Sequence, residues 1–506
     1  MCMLLALVML FGLCGSFASV SASAAEGETL RVVLNEECTC LNPVWSSPSK
    51  CDISVTRNVY ETLTIWDYET GETVPGLASD WEWIDELHLR LHLKEGITTA
   101  NGTPITADDV VWTWQQGCTV GSNAPSYGAL FDPNECYAED ELTVVLGTQY
   151  AYPTLPDMLP AAYFILSQKE VEEAGGIEAA ARNCAGSTGP YVFEEWAGGQ
   201  YLTLKKNDNY WGGDVGYYDE IMFTFVADDA ARAMSIQAGN ADIAFSLNAA
   251  QIAGLEADPN TEVEVFETNS LSVFYMNPNE GPLADENVRQ AVAKLVDYDA
   301  VNALINYGYG QQPDSHIPYK SSYYEPTGVT FARDVEGAKA LLEEAGYGNG
   351  LTIEIFGFAY DQMLLELIQA NLAEGGINVS IQLCEVVAAL EKMMSGDYQL
   401  YVGASAGEDV ARCLKMVDGR NEPIMTFGGS LYKNEEIYPL VDAGLLEFDD
   451  AARHEAYTAL ATYVAEHALV IPLTCSLMIN AKTPGLEGIG YDAWGDLILF
   501  NVHPAA

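Results

Sequence analysis

Three consecutive stretches decide how this chain is read: Val74-Pro75-Gly76-Leu77-Ala78-Ser79-Asp80-Trp81-Glu82, then Leu87-His88-Leu89-Arg90-Leu91-His92-Leu93-Lys94-Glu95-Gly96, then Asn101-Gly102-Thr103-Pro104-Ile105-Thr106-Ala107-Asp108-Asp109-Val110. Leu87 to Leu93 alternates apolar and polar residues at period two, which predicts a half-buried strand with His88 and His92 on its polar face. Those two histidines admit a metal, but a solvated strand face explains them as well. Thr106 followed by Asp109 has nearly the form of a capping box, and Val110, Val111 and Trp114 are spaced to face a core, so a helix starts here. The same grammar recurs further along. Asp228 and Asp229 precede a helix over Ala230 to Ala238 closed by Gly239, with a strand expected at Asp242 to Leu247. Asp285 to Val296, Asp299 to Asn306 and Asp334 to Ala345 are further helices with acidic starts, and Gly346 closes the last. Strands alternating with capped helices, and no fixed-period repeat, indicate α/β or mixed lobes.

Of 506 residues, 73 are acidic and 22 are Lys or Arg, a formal charge of −51. Such a field repels phosphate backbones and excludes nucleic-acid binding and purely electrostatic attachment to anionic lipid. The apolar run Leu4 to Leu13 is too short to span a bilayer. With the small residues Ser16 to Ala25 after it, it reads as a secretory signal cleaved after Ala24. Lipidation at Cys14 is the competing reading. Export permits disulfides among the nine cysteines that remain. A Cys118–Cys136 bridge would stabilise by roughly 3 kcal/mol in the chain-entropy account. Cys38-x-Cys40 lacks the second cluster of a structural zinc site and reads as disulfide or packed thiol.

Several blocks resemble one family when taken in order. They include Leu41-Asn42-Pro43, Asn58-Val59-Tyr60-Glu61-Thr62-Leu63 and the three opening stretches. Ser187-Thr188-Gly189-Pro190-Tyr191, Tyr210-Trp211-Gly212-Gly213 and Gln237-Ala238-Gly239-Asn240-Ala241-Asp242-Ile243 follow. Phe274-Tyr275-Met276-Asn277, Val288-Arg289-Gln290-Ala291 and Ala338 to Tyr347 complete the series. The chain is similar to the extracellular solute-binding proteins of peptide-type ABC importers. The resemblance implies a two-lobed, periplasmic-binding-protein-like (type II) α/β fold with a hinge. It places lobe I at 25–70, 187–275 and 480–506, an additional subdomain at 71–186 and lobe II at 276–479. It also implies a monomer without cofactor or metal, exported to the periplasm or outer cell surface, that closes on a solute and docks on a membrane permease.

In peptide-binding members an aspartate within an Asp-Tyr-Pro-Asp-Pro-like segment holds the peptide's amino group. Here that stretch is Ser405-Ala406-Gly407-Glu408-Asp409-Val410, with Asp409 as the candidate and the prolines missing. The solute is therefore open between a short peptide and a sugar, an opine or a nickel chelate. Arg412 is the candidate partner for a ligand carboxylate, with pairing to a neighbouring acid as its other use. The resemblance puts Trp45, Tyr127, Phe358 and Tyr360 near the cleft, where aromatics sandwich apolar parts of a solute, and core packing competes for each, as for Trp494. Gly403-Ala404-Ser405-Ala406-Gly407 fits two uses. One is a small-residue cleft edge with Ser405 facing a ligand. The other is the nucleophile elbow of a serine hydrolase, with Asp442, Asp449 or Asp450 and His454, His467 or His503 completing a triad.

Overall fold

The computed structural model describes residues 28–505 apart from 45–48, 68–69, 71, 120–129, 322, 407–409, 421–431 and 493. The leader expected at 1–24, and Cys14 with it, lies outside the described residues. Strand β1 (Thr29–Leu34) opens the chain. β2 (Thr64–Asp67) and β3 (Glu72–Pro75) form a hairpin. β4 (Ala78–Trp83), β5 (His88–Leu93), β6 (Tyr137–Ala138) and β7 (Thr143–Gly147) form a separate antiparallel sheet in the order β4-β5-β7-β6. The period-two reading holds in β5, where Leu89, Leu91 and Leu93 are buried. His92 Nδ1 meets Asp80 at 2.6 Å and His88 Nδ1 meets Asp85 at 2.9 Å, so each histidine on the polar face has a carboxylate partner. The helix Ala107–Thr119 covers this sheet. Its start is held as the sequence predicts, with the Thr106 amide donating to Asp109 Oδ2 at 2.9 Å.

The chain then builds β8 (Tyr191–Ala197), β9 (Tyr201–Lys206), β10 (Glu220–Phe225), β11 (Ile243–Ala244), β12 (Glu262–Met276), β13 (Leu351–Phe358), β14 (Ile377–Cys384), β15 (Leu400–Ala406) and β16 (Val470–Lys482). With β1 they make one ten-stranded sheet in the order β14-β13-β15-β12-β16-β11-β1-β10-β9-β8. β12 and β16 are its longest strands, and each crosses from one half of the molecule to the other. Glu262 to Glu267 pair with Lys482 to Leu477, next to β11, whereas Leu271 to Met276 pair with β15. Separate hydrophobic cores flank the crossing. One is built on β1, β9 and β10 around Leu30, Val32, Leu204 and Phe223. Another is built on β13, β15 and the helix Glu286–Leu295 around Ile353, Ile355, Val288 and Leu365.

Two glycines of the family-like blocks are explained by close approach. A side chain at Gly76 would meet the Thr62 carbonyl at 2.4 Å, and one at Gly189 would meet the Val59 carbonyl at 2.5 Å. Tyr210 and Trp211 each donate at 2.7 Å to the Glu61 carboxylate, whose pKa burial raises while these bonds oppose the rise. The Tyr-Trp-Gly-Gly block therefore ties the chain after β9 to the segment before β2.

The expected Cys118–Cys136 disulfide is corrected. None of the nine cysteines of the described chain is in a disulfide; eight are buried and Cys118 is half-buried. Cys136 Sγ instead meets the Asp132 carbonyl at 3.4 Å, and Cys38 Sγ meets that of Cys51 at 3.5 Å. Burial pushes the Cys136 and Cys51 thiols up to about 12, so they stay protonated and pack as small apolar groups.

Candidate functional site

Strand direction locates the cleft. β15 runs from Leu400, opposite Met276, to Ala406, opposite Ser270, and so points toward the middle of β12. β13 is parallel to β15 and β14 is parallel to β13, so all three carboxyl ends point that way. On the other side β11 runs antiparallel to β16 from Lys482 toward Ala481, and β1 and β10 are parallel to it. The carboxyl ends of two sets of parallel strands therefore face each other across β12 and β16. The crevice outside the carboxyl ends of such strands is where open α/β sheets bind ligands.

At the crossing itself the ladder breaks. Glu267 pairs with Leu477 and Leu271 with Cys475, which leaves Thr268, Asn269 and Ser270 opposite Ser476 alone. The bulge is held by side chains. Thr268 Oγ1 donates to the Ser476 carbonyl at 3.1 Å and Ser476 Oγ lies 3.5 Å from Ser270 Oγ. Asn269, fully buried, donates through Nδ2 to the Lys320 carbonyl at 3.2 Å. A bulge bends its strand and loosens the local ladder, as a hinge requires. Lys320 Nζ lies 4.0 Å from the centre of the Phe266 ring, which packs at 5.4 Å on Tyr491. Arg57 and Asp492 form a buried ion pair at 2.6 Å that joins the helix Lys50–Thr56 to the C-terminal segment.

Arg232, which sequence reasoning passed over, organises one rim. Almost fully buried, it donates to the carbonyls of Val226 at 2.6 Å, Ala227 at 2.9 Å and Ser246 at 2.7 Å, and pairs with Asp229. It thereby gathers the segments that follow β10 and β11. Its signal in the sequence is a lone arginine on the buried face of the otherwise small and apolar helix Asp229–Gln237.

Of the expected site residues, Trp45, Tyr127 and Asp409 lie outside the described residues. Arg412 sits in the helix Val410–Lys415 directly after β15, but its side chain is likewise outside the description. Phe358 and Tyr360 follow the carboxyl end of β13 as a stacked pair, centroids 5.1 Å apart and planes 12° apart. Phe358 is half-buried and Tyr360 is 79% exposed, so the pair offers an open aromatic face. Trp494 is half-buried, and its carbonyl accepts from Lys50 Nζ at 3.1 Å.

Ser405 is fully buried within β15 rather than standing on an exposed strand-to-helix turn, and its hydroxyl donates at 2.6 Å to the His316 main-chain carbonyl. This corrects the elbow reading of Gly403 to Gly407. Of the triad histidines, His467 pairs with Glu286 at 2.8 Å and His454 with Glu325 at 3.4 Å. Gly403 is small because the rings of Tyr275 and Tyr401 leave no room for a side chain, which would meet them at about 3.0 Å and 2.9 Å.

Residues 72–411 match the family described as bacterial extracellular solute-binding proteins, family 5. The chain belongs to that family. It is 24% identical over 491 residues to the glutathione-binding protein GsiB of Escherichia coli, covering 93% of each chain. Identity is also 24% over 536 residues to heme-binding protein A of Haemophilus influenzae, covering 97% of each. Among solved structures, HbpA2 of Haemophilus parasuis superposes with a TM-score of 0.84 at 21% identity, covering 95% of this chain and all of that one. As a family 5 protein the chain is a solute-binding component of ABC importers with the two-lobed α/β fold. Among its described residues no helix is long and apolar enough to cross a membrane.

Proposed function

We propose that this protein captures a short peptide, or a small solute of related chemistry, in the cleft between its opposed strand ends and delivers it unaltered to an ABC permease outside the cytoplasm. The observation that carries this reading is the facing of two carboxyl-end rims across a pair of crossing strands broken by a three-against-one bulge. Closure about the bulge turns solute contact into a change of shape that a permease can read. Asp409, three residues beyond Ala406, is proposed to take a ligand ammonium and Arg412 a ligand carboxylate, each as a charge-assisted hydrogen bond. The stacked Phe358 and Tyr360 are proposed to cover an apolar part of the solute, with Trp45 and Tyr127 as further aromatics. The two lobes correspond to 25–70, 187–275 and 480–506 on one side and 276–479 on the other, with 71–186 added to the first. The protein is proposed to act as a monomer.

A thermal-shift screen tests the proposal with dipeptides, tripeptides including glutathione, longer peptides, opines, oligosaccharides, heme and metal chelates. A ligand at 100 times its Kd stabilises the folded state by about 2.7 kcal/mol. Peptide hits that Asp409→Asn weakens support the reading. Hits confined to sugars, heme or chelates move the solute class, and no hit in any class with steady release of product from ester substrates ends the proposal.

A further inference from the structure

The helix Val410–Lys415 has two faces with different partners. Val410, Cys413 and Leu414 are buried in the core built on β12 and the helix Asp450–Glu466. Ala411 and Lys415, one turn apart on the other face, reach across to the sheet β4-β5-β7-β6 and its loops. Ala411 is 2% exposed within the core of that sheet, among residues such as Leu130, Tyr152 and Leu155. Lys415 Nζ lies 4.3 Å from the centre of the Tyr150 ring and 4.6 Å from that of Tyr152, and it donates to Tyr150 Oη at 3.1 Å. The two rings stand at 68° to each other with centroids 6.2 Å apart, forming an aromatic corner around the ammonium. A second contact joins the same two bodies. Phe448, in the turn before the helix Asp450–Glu466, packs edge-to-face on Trp83 at the end of β4, centroids 5.3 Å apart. Leu445 packs against both cores.

These contacts connect the sheet inserted before β8 to the body that carries β15, the two sides that part in the opening proposed above. We propose that Lys415 in the Tyr150–Tyr152 corner is a clasp that holds the halves together before any solute arrives, so that Lys415 sets solute affinity and release from a distance, as a positioning residue. The clasp rests on the reading of the protein as a hinged capture device. An ammonium against an aromatic face is attracted by the ring quadrupole, more strongly when partly desolvated, and here one ammonium meets two rings. Replacing it by an uncharged side chain of similar length keeps the packing of the stem and removes that attraction. Arginine at the same position retains the attraction.

The test is hydrogen exchange of the solute-free, full-length protein, comparing wild type, Lys415→Met and Lys415→Arg. Lys415→Met is expected to speed exchange at the amides of Gln149 to Tyr152 and of Ala411 to Lys415 by roughly 5- to 30-fold. Lys415→Arg is expected to restore it. Amides of β1 and β13 remain at wild-type rates, which separates clasp opening from general destabilisation. Identical exchange in wild type and Lys415→Met, or equal loss in Lys415→Met and Lys415→Arg, overturns the proposal. A second measurement needs no variant. Tetramethylammonium chloride competes for the aromatic corner, so it accelerates exchange at the same amides of wild type relative to sodium chloride of equal ionic strength and leaves Lys415→Met unmoved. An equal response of both proteins to the two salts also overturns it. No solute enters either assay, so a failed peptide screen and a failed clasp are distinguishable results.

Discussion

His316 is buried beneath the end of β15, with its own carbonyl receiving the Ser405 hydroxyl. Burial depresses its pKa from 6.5 to about 4, with the Cys413 backbone opposing the shift. The folded state therefore binds its proton only below about 4, whereas the unfolded chain binds one from about 6.5 downward. Stability is full above pH 6.5, falls as the pH is lowered through that window and has lost this contribution below about 4. The full shift corresponds to roughly 3 kcal/mol. His316→Asn is expected to flatten that part of the difference between urea midpoints at pH 7 and pH 4.5. An unchanged slope would mean that other groups, not His316, carry the acid sensitivity. None of this was legible beforehand, because a lone histidine in Asp314-Ser315-His316-Ile317 carries no periodicity, and its burial depends on β15 lying across it. Asp285, Asp228 and Asp334 were legible as helix starts, since a cap bonds an amide only two or three residues away. Asp228 accepts from Ala231 at 2.8 Å and Asp334 from Gly337 at 2.9 Å.

At the scale of elements, β15 shows why a short motif misleads. Gly403 and Ser405 fit a hydrolase signature by spacing, but spacing does not say what lies on either face of a strand. Here Tyr275 from β12 and Tyr401 fill the space over Gly403, with centroids 5.1 Å apart. Gly403→Ala is expected to cost about 1–3 kcal/mol through overpacking, read as a lowered denaturant midpoint, with no esterase activity in either protein. A neutral substitution would show that the rings give way freely. The strand expected over Asp242 to Leu247 shrinks to Ile243–Ala244 because Ser246 takes a positive φ of 55° and its amide donates to Asn480 Oδ1 at 2.9 Å. β5 was read correctly because its neighbours β4 and β7 leave one polar and one apolar face, which alternation records directly. β12 escaped as a single element because Thr268-Asn269-Ser270 interrupts its alternation. Only its pairing with β16 and β15 makes one strand of it.

For the whole molecule, the charge of −51 governs solution behaviour. Several of the few cations are already committed: Arg31 to Asp242, Arg90 to Glu82 and Glu139, Arg420 to Asp418 and Asp442. Most acids are left to repel one another across the surface. Raising salt from about 0.01 M to 1 M shortens the screening length from about 30 Å to 3 Å. The thermal midpoint is expected to climb over that range, since compactness is opposed by self-repulsion. A falling midpoint in calorimetry would show that attractive pairs dominate instead. The order of blocks from Leu41 to Tyr347 determined the family and the two-lobed α/β class by itself, because caps, turns and alternation are local bonds written within a few residues. Cleft, hinge and clasp belong to the tertiary structure. They bring Ala406 to Ser270, Leu271 to Cys475 and Lys415 to Tyr150, contacts between residues more than a hundred positions apart. Such contacts arise only when strands from both halves share one sheet, and no local pattern encodes which distant surfaces will meet.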